Sequence, residues 1–99
     1  MNREFPFEIA PKSSEVRGNW HDANAHCKSL GEGWRLPTLE ELDLIYNGNN
    51  DFEKYCYWSI DDHVLFPNFA WGMYMSNGKT YDDTKHYGFH YSRAVRMKD

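Results

Sequence analysis

Long apolar runs, clustered basic residues, glycine-rich loops and paired cysteines are absent or scarce in this sequence, and each shortage removes a class of function. No stretch approaches the length needed to span a bilayer. The start, MNREFPFEIAPK, has no basic segment followed by an apolar run, so no signal peptide is expected and the chain is expected to act in the cytosol. The 11 basic residues are scattered and outnumbered by 15 acidic ones, for a net charge of −4. A nucleic-acid partner needs clustered Lys and Arg to displace counterions, so none is expected. The mild acidity reads as a solubility feature. With no repeat, linker or low-complexity tract in 99 residues, one domain over 1–99 is expected. Two cysteines, Cys27 and Cys56, could form one bridge or none.

What is abundant is aromatic. Seven Tyr, six Phe and four Trp make 17% of the chain, more than so small a body can bury completely. Some of this surface is expected to face outward as a contact site.

Local signals divide the chain in two. Residues 4–9, EFPFEI, read as a short edge strand, because Pro6 cannot donate to a ladder. A helix follows, with Asn19 as N-cap, Asp22 at the positive end of its dipole and Trp20, Ala23, Cys27 and Leu30 on one face. Gly31 stands where a left-handed C-cap is expected. The second helix opens on the capping box Thr38…Glu41 behind Pro37, buries Leu39, Leu42, Ile45 and Tyr46, and stops at Asn47-Gly48. Strands then take over. YCYWS at 55–59 is β-prone. Residues 69–76 alternate, with Phe69, Trp71, Met73 and Met75 on one side and Ala70, Gly72, Tyr74 and Ser76 on the other. Asn77-Gly78 marks a hairpin that Lys79-Thr80-Tyr81 continues, 82–88 read as a loop, and Phe89–Met97 read as a final strand beside the first.

The run Trp20-His21-Asp22-Ala23…Cys27…Leu30-Gly31…Gly33-Trp34-Arg35-Leu36-Pro37-Thr38…Glu40-Glu41-Leu42 resembles the signature of the Lcl C-terminal-domain family, bacterial and phage domains of C-type-lectin-like fold. Tyr57-Trp58-Ser59, Ala70-Trp71, Asn77-Gly78 and Arg93-Ala94-Val95-Arg96 follow in that family's order, so the resemblance spans roughly 16–97. It implies an α+β, C-type-lectin-like fold: two helices flanking a small, mainly antiparallel twisted sheet with long loops and paired terminal strands. It also implies that Trp34 packs in the core between the helices and that Arg35 satisfies backbone carbonyls or a carboxylate. In many relatives the helix-one cysteine bridges to the closing strand. Here Ala94 stands at the partner position, so two free thiols are expected, as in a reducing compartment.

Catalytic groups are sparse. His21 and His26 do not share a helix face, His86 and His90 fall in a glycine-containing segment, and both of the latter are expected at the surface. Cys27 lies on the buried stripe, where a thiol behaves as a small hydrophobe. The cysteine constellation of the formylglycine-generating enzymes, which share the broader fold, is not evident. Loop carboxylates at Asp51, Glu53, Asp61, Asp62, Asp82 and Asp83 could hold calcium, but the EPN or QPD and WND motifs of the animal lectins are missing, and the carboxylates read as solvated. No enzyme activity, metal or cofactor is expected.

A ligand face is expected on 60–69, 79–91 and the outward side of 69–76, carrying Asp61, Asp62, His63, Phe66, Asn68, Tyr74, Asp82, Asp83, His86, Tyr87 and His90. Phe66, Tyr81, Tyr87 and Phe89 are equally compatible with completing the core. The mixture of rings, histidines and carboxylates suits a protein contact. The expected role is a small cytosolic protein-binding factor, such as a phage-encoded or accessory protein that docks on a host machine. A glycan-binding lectin-like or adhesin module is the alternative. Either a monomer or a homodimer built on the N-terminal strand edge is compatible with the sequence.

Overall fold

The computed structural model describes residues 5–98. The chain runs β1 (Phe7–Ile9), a 3-10 turn (Lys12–Ser14), β2 (Val16–Gly18), α1 (Trp20–Ser29), α2 (Leu39–Asn47), β3 (Cys56–Asp62), β4 (Phe69–Tyr74), β5 (Thr80–Thr84), β6 (His90–Ser92) and β7 (Val95–Met97). Its class is α+β, with two helices and a mainly antiparallel sheet. No helix among the described residues is long and apolar enough to cross a membrane.

Both helices start where their caps dictate. Asn19 Oδ1 accepts the Asp22 amide at 2.8 Å, and Thr38 Oγ1 accepts the Glu41 amide at 3.0 Å. Glu41 returns the contact by accepting the Thr38 amide at 2.9 Å, which completes the box. The same carboxylate takes a two-pronged bond from Arg35, at 2.7 and 2.8 Å, while Arg35 also donates to the Leu36 carbonyl. Arg35 thus plays both parts expected of it. Burial alone would raise the Glu41 pKa, but the Arg35 fork and the Thr38 amide hold it below the usual carboxylate range.

The terminal strands pair antiparallel, β1 with β7, and the other five lie in the order β2-β6-β3-β4-β5. Glu4, the first residue of the expected N-terminal strand, lies outside the described residues. The expected last strand, Phe89–Met97, is broken into β6 and β7, which belong to different sheets. The break is at Arg93, a buried guanidinium that donates to the Ala10 carbonyl at 2.8 Å and pairs with Asp51. Asp82 and Asp83, expected in a loop, belong to β5, opposite Trp71 and Ala70. β5 is an edge strand of this sheet, and its two consecutive carboxylates oppose further strand pairing. The hairpin closes on Tyr74 and Lys79, with Gly78 at φ +76° supplying the left-handed residue of the turn.

The sheet is buried on both faces, which the alternation at 69–76 did not anticipate. Tyr57 and Met73 pack with Leu42 and Ile45 of α2, together with Phe7, Phe52 and Val95. The intervening Trp58 and Ala70 pack with Trp20, Ala23 and Cys27 of α1, together with Leu36 and Ala94. Successive residues of a strand face opposite ways, so the two helices cover opposite faces and the two clusters share one sheet. Trp34 lies at the margin of the second cluster rather than within the core, half-buried beneath the Arg96 guanidinium at 4.5 Å. On the Trp58 side Gly72 leaves room for the Tyr81 ring to lie across β4; a Cβ there would stand 2.6 Å from Tyr81 Cζ.

Candidate functional site: an aromatic groove and an apolar loop tip

The expected ligand face divides into two surfaces at opposite ends of β4. The first is the tip of the β3–β4 connection. Val64, Leu65 and Phe66 are consecutive and 95, 75 and 54% exposed. They are not a loose loop. The His63 ring stacks on Trp71 at 5.3 Å and 11°, its Nδ1 accepts the Leu65 amide at 3.2 Å, and its Nε2 faces Asp82 at 3.3 Å. The Phe66 carbonyl accepts the Phe69 amide at 2.9 Å. Asn68 is exposed, and its carbonyl accepts the Lys85 amide at 2.7 Å.

The second surface is a groove of about 330 Å³ lined by Arg17, Tyr55, Cys56, Tyr74, Tyr87, Phe89, His90 and Tyr91. It lies where the one parallel pair among the described strands, β3 and β6, opens below its Tyr57–Tyr91 contact. Tyr55 and Tyr91 stack at 5.5 Å and 6°, and Tyr87 meets Phe89 edge-on at 5.5 Å. His90, expected at the surface, is buried. It is enclosed by the rings of Trp58, Tyr81 and Tyr87 and faces Asp83 at 2.9 Å through Nε2. Burial lowers the His90 pKa more strongly than Asp83 raises it, so the imidazole is neutral and donates Nε2–H to the carboxylate.

The remaining expected residues serve the scaffold or stand apart. Asp61 accepts the Leu39 amide at 2.7 Å and so caps the first turn of α2 from a distant strand. Asp62 pairs with Lys85 at 2.8 Å, and that ammonium also lies over the Trp20 ring at 4.3 Å. His86 is exposed, and its ring lies 6.1 Å from that of His21. Phe66, Tyr87 and Phe89 are exposed, so of the four rings that could have completed the core only Tyr81 does so in part.

No protein-family model matches this chain, and no curated protein matches it.

Cys56, His90 and Asp83 gather at the groove, the residue types of a thiol nucleophile with its base and orienting acid. Their arrangement does not support that chemistry. Burial pushes the Cys56 thiol up rather than activating it, and outweighs the Tyr74 and Tyr81 hydroxyls, which lower it. Among the described residues no three His, Cys, Asp or Glu side chains gather to hold a metal ion. Arg17, Tyr55 and Cys56 are the groove residues that lie outside the expected ligand face. The three-residue β2 carries no periodic signal, and Tyr55 stands outside the alternating segment. The tip had one legible sign, the apolar run Val64-Leu65-Phe66 between Asp61-Asp62-His63 and Pro67-Asn68.

Proposed function

We propose that this chain is a non-catalytic binding module of C-type-lectin-like fold whose partner is a protein, a cytosolic factor of the kind a phage directs at a host machine. The observation that carries the protein reading is the loop tip. Three consecutive exposed apolar side chains offer nothing to a sugar hydroxyl, yet suit a pocket on a protein. His63 and Trp71 hold the tip in place, so little conformational entropy is left to lose on docking. The fold reading is supported by the paired terminal strands and by Cys27 and Ala94 sharing one buried cluster, as the bridged positions of the resembling family would. Both cysteines are free thiols, which supports a reducing setting.

A glycan ligand is the second reading, favoured by the flat Tyr55–Tyr91 stack beside the groove. Capture from host lysate, with Leu65→Asp and Phe66→Asp as controls, separates the two when run beside a glycan array. The protein reading expects a captured protein whose yield drops at least tenfold in either variant at unchanged thermal midpoint. Array hits without such capture overturn it.

A further inference from the structure

The inference rests on the protein-binding reading and concerns the chemistry its groove selects. We propose that the groove between β3 and β6 binds a carboxylate set beside an aromatic or apolar group, as presented by an acidic–aromatic stretch of peptide. Arg17 is the residue that decides this. Its Nε–H donates to the Phe89 carbonyl at 3.1 Å, and its guanidinium lies 5.3 Å from the Phe89 ring and 5.7 Å from the Tyr91 ring. The head group is therefore held in place, while its two terminal nitrogens have no hydrogen-bond or ion-pair partner among the described residues. The other described arginines each hold a carboxylate: Arg35 with Glu41, Arg93 with Asp51 and Arg96 with Glu8. In a chain of net charge −4, the one described arginine without a carboxylate faces the groove.

The walls sharpen the choice. The groove's His90 faces Asp83, a carboxylate that also accepts the Thr84 amide. Cys56 and His90 are neutral there, so Arg17 supplies the full charge of the lining. A weakly hydrated, planar guanidinium among rings favours a bidentate carboxylate partner. Apart from Cys56 the rest of the lining is aromatic, and it includes no Asn, Gln, Asp or Glu, side chains that bond sugar hydroxyls. Its volume, about 330 Å³, is at the lower end of small-ligand sites and suits one or two side chains.

An NMR titration of the whole chain with three probes tests this: N-acetyl-phenylalanine, its neutral amide and glucuronate. The acid is expected to shift the Arg17 Nε–H and the ring signals of Tyr87, Phe89 and Tyr91 at about millimolar concentration, the strength of a fragment contact. The amide is expected to bind at least tenfold more weakly. Arg17→Gln should bring the acid down to the amide, and Arg17→Lys, which keeps the charge without the fork, should fall between. Unchanged thermal midpoints show that both variants fold. Equal binding of acid and amide, response to glucuronate alone, or no response at the groove overturns the proposal. The titration reads the groove and the capture experiment reads the tip, so either can fail without the other.

Discussion

Asp82 and Asp83, adjacent on β5, reach histidines on opposite faces of the sheet: Asp82 meets His63 at 3.3 Å and Asp83 meets His90 at 2.9 Å. One pair braces the exposed loop tip and the other floors the aromatic groove. The period of two in a strand thus separates side chains that adjacency in the sequence appears to join.

The buried pair carries a pH signature. Folding lowers the His90 pKa from its ordinary 6.5, so between the unfolded and folded values the unfolded chain binds more protons. Its contribution is complete above 6.5 and is lost as the pH falls toward the folded value. Glu41 and Asp51, both lowered in the fold, add a second loss below their ordinary 4.5 and 3.8. Urea midpoints measured between about pH 3 and 8 should therefore decline in two stages. Substitution His90→Gln should flatten the upper stage and leave the lower one.

Two tyrosines should respond in opposite ways to loss of the hydroxyl. Tyr57 donates to Glu15 at 2.6 Å and accepts the Glu53 amide at 2.8 Å, and both burial and Glu15 raise its pKa. The Tyr81 hydroxyl is buried with no formed hydrogen bond, its polar neighbour being the Cys56 thiol. Tyr57→Phe should cost about 1.5–3 kcal/mol, because it strands a carboxylate and an amide. Tyr81→Phe should stay within about 0.5 kcal/mol or stabilise. Denaturant titrations of the two variants decide it.

Gly72→Ala should be among the more damaging single-methyl additions. The new Cβ would stand 2.5 Å from the Tyr57 carbonyl oxygen and 2.6 Å from Tyr81 Cζ, and the first of these is backbone that cannot swing away. A cost of about 2 kcal/mol is expected. In a chain of this size that lowers the thermal midpoint by roughly 8–16 °C.

The capping box gives a graded pair. Thr38→Ala removes one bond to the Glu41 amide and should cost about 1 kcal/mol. Glu41→Ala removes the return bond and the acceptor of the Arg35 fork, and should cost about 2–3 kcal/mol. Equal losses in thermal melts would contradict this division of roles.

Thiol chemistry should follow burial. Desolvation pushes Cys27 up to about 12, and it is fully buried, so it should resist a disulfide reagent in the native protein. Cys56, half-buried and raised less, should react first and slowly. The denatured, unreduced chain should titrate two thiols.

The helix starts at Asn19 and Thr38, the turn at Asn77-Gly78 and the aromatic surplus were legible in the sequence, because each is settled by composition or by bonds within four residues. The positions of Arg17 and Asp61 were not. Arg17 meets the Phe89 carbonyl across 72 residues, and Asp61 caps α2 from 22 residues away. The short β2, the break at Arg93 and the parallel β3–β6 contact likewise have no local period to announce them. They form because two opposed clusters must close over one sheet. That long-range packing turned one expected ligand face into a braced apolar tip and an arginine-bearing aromatic groove.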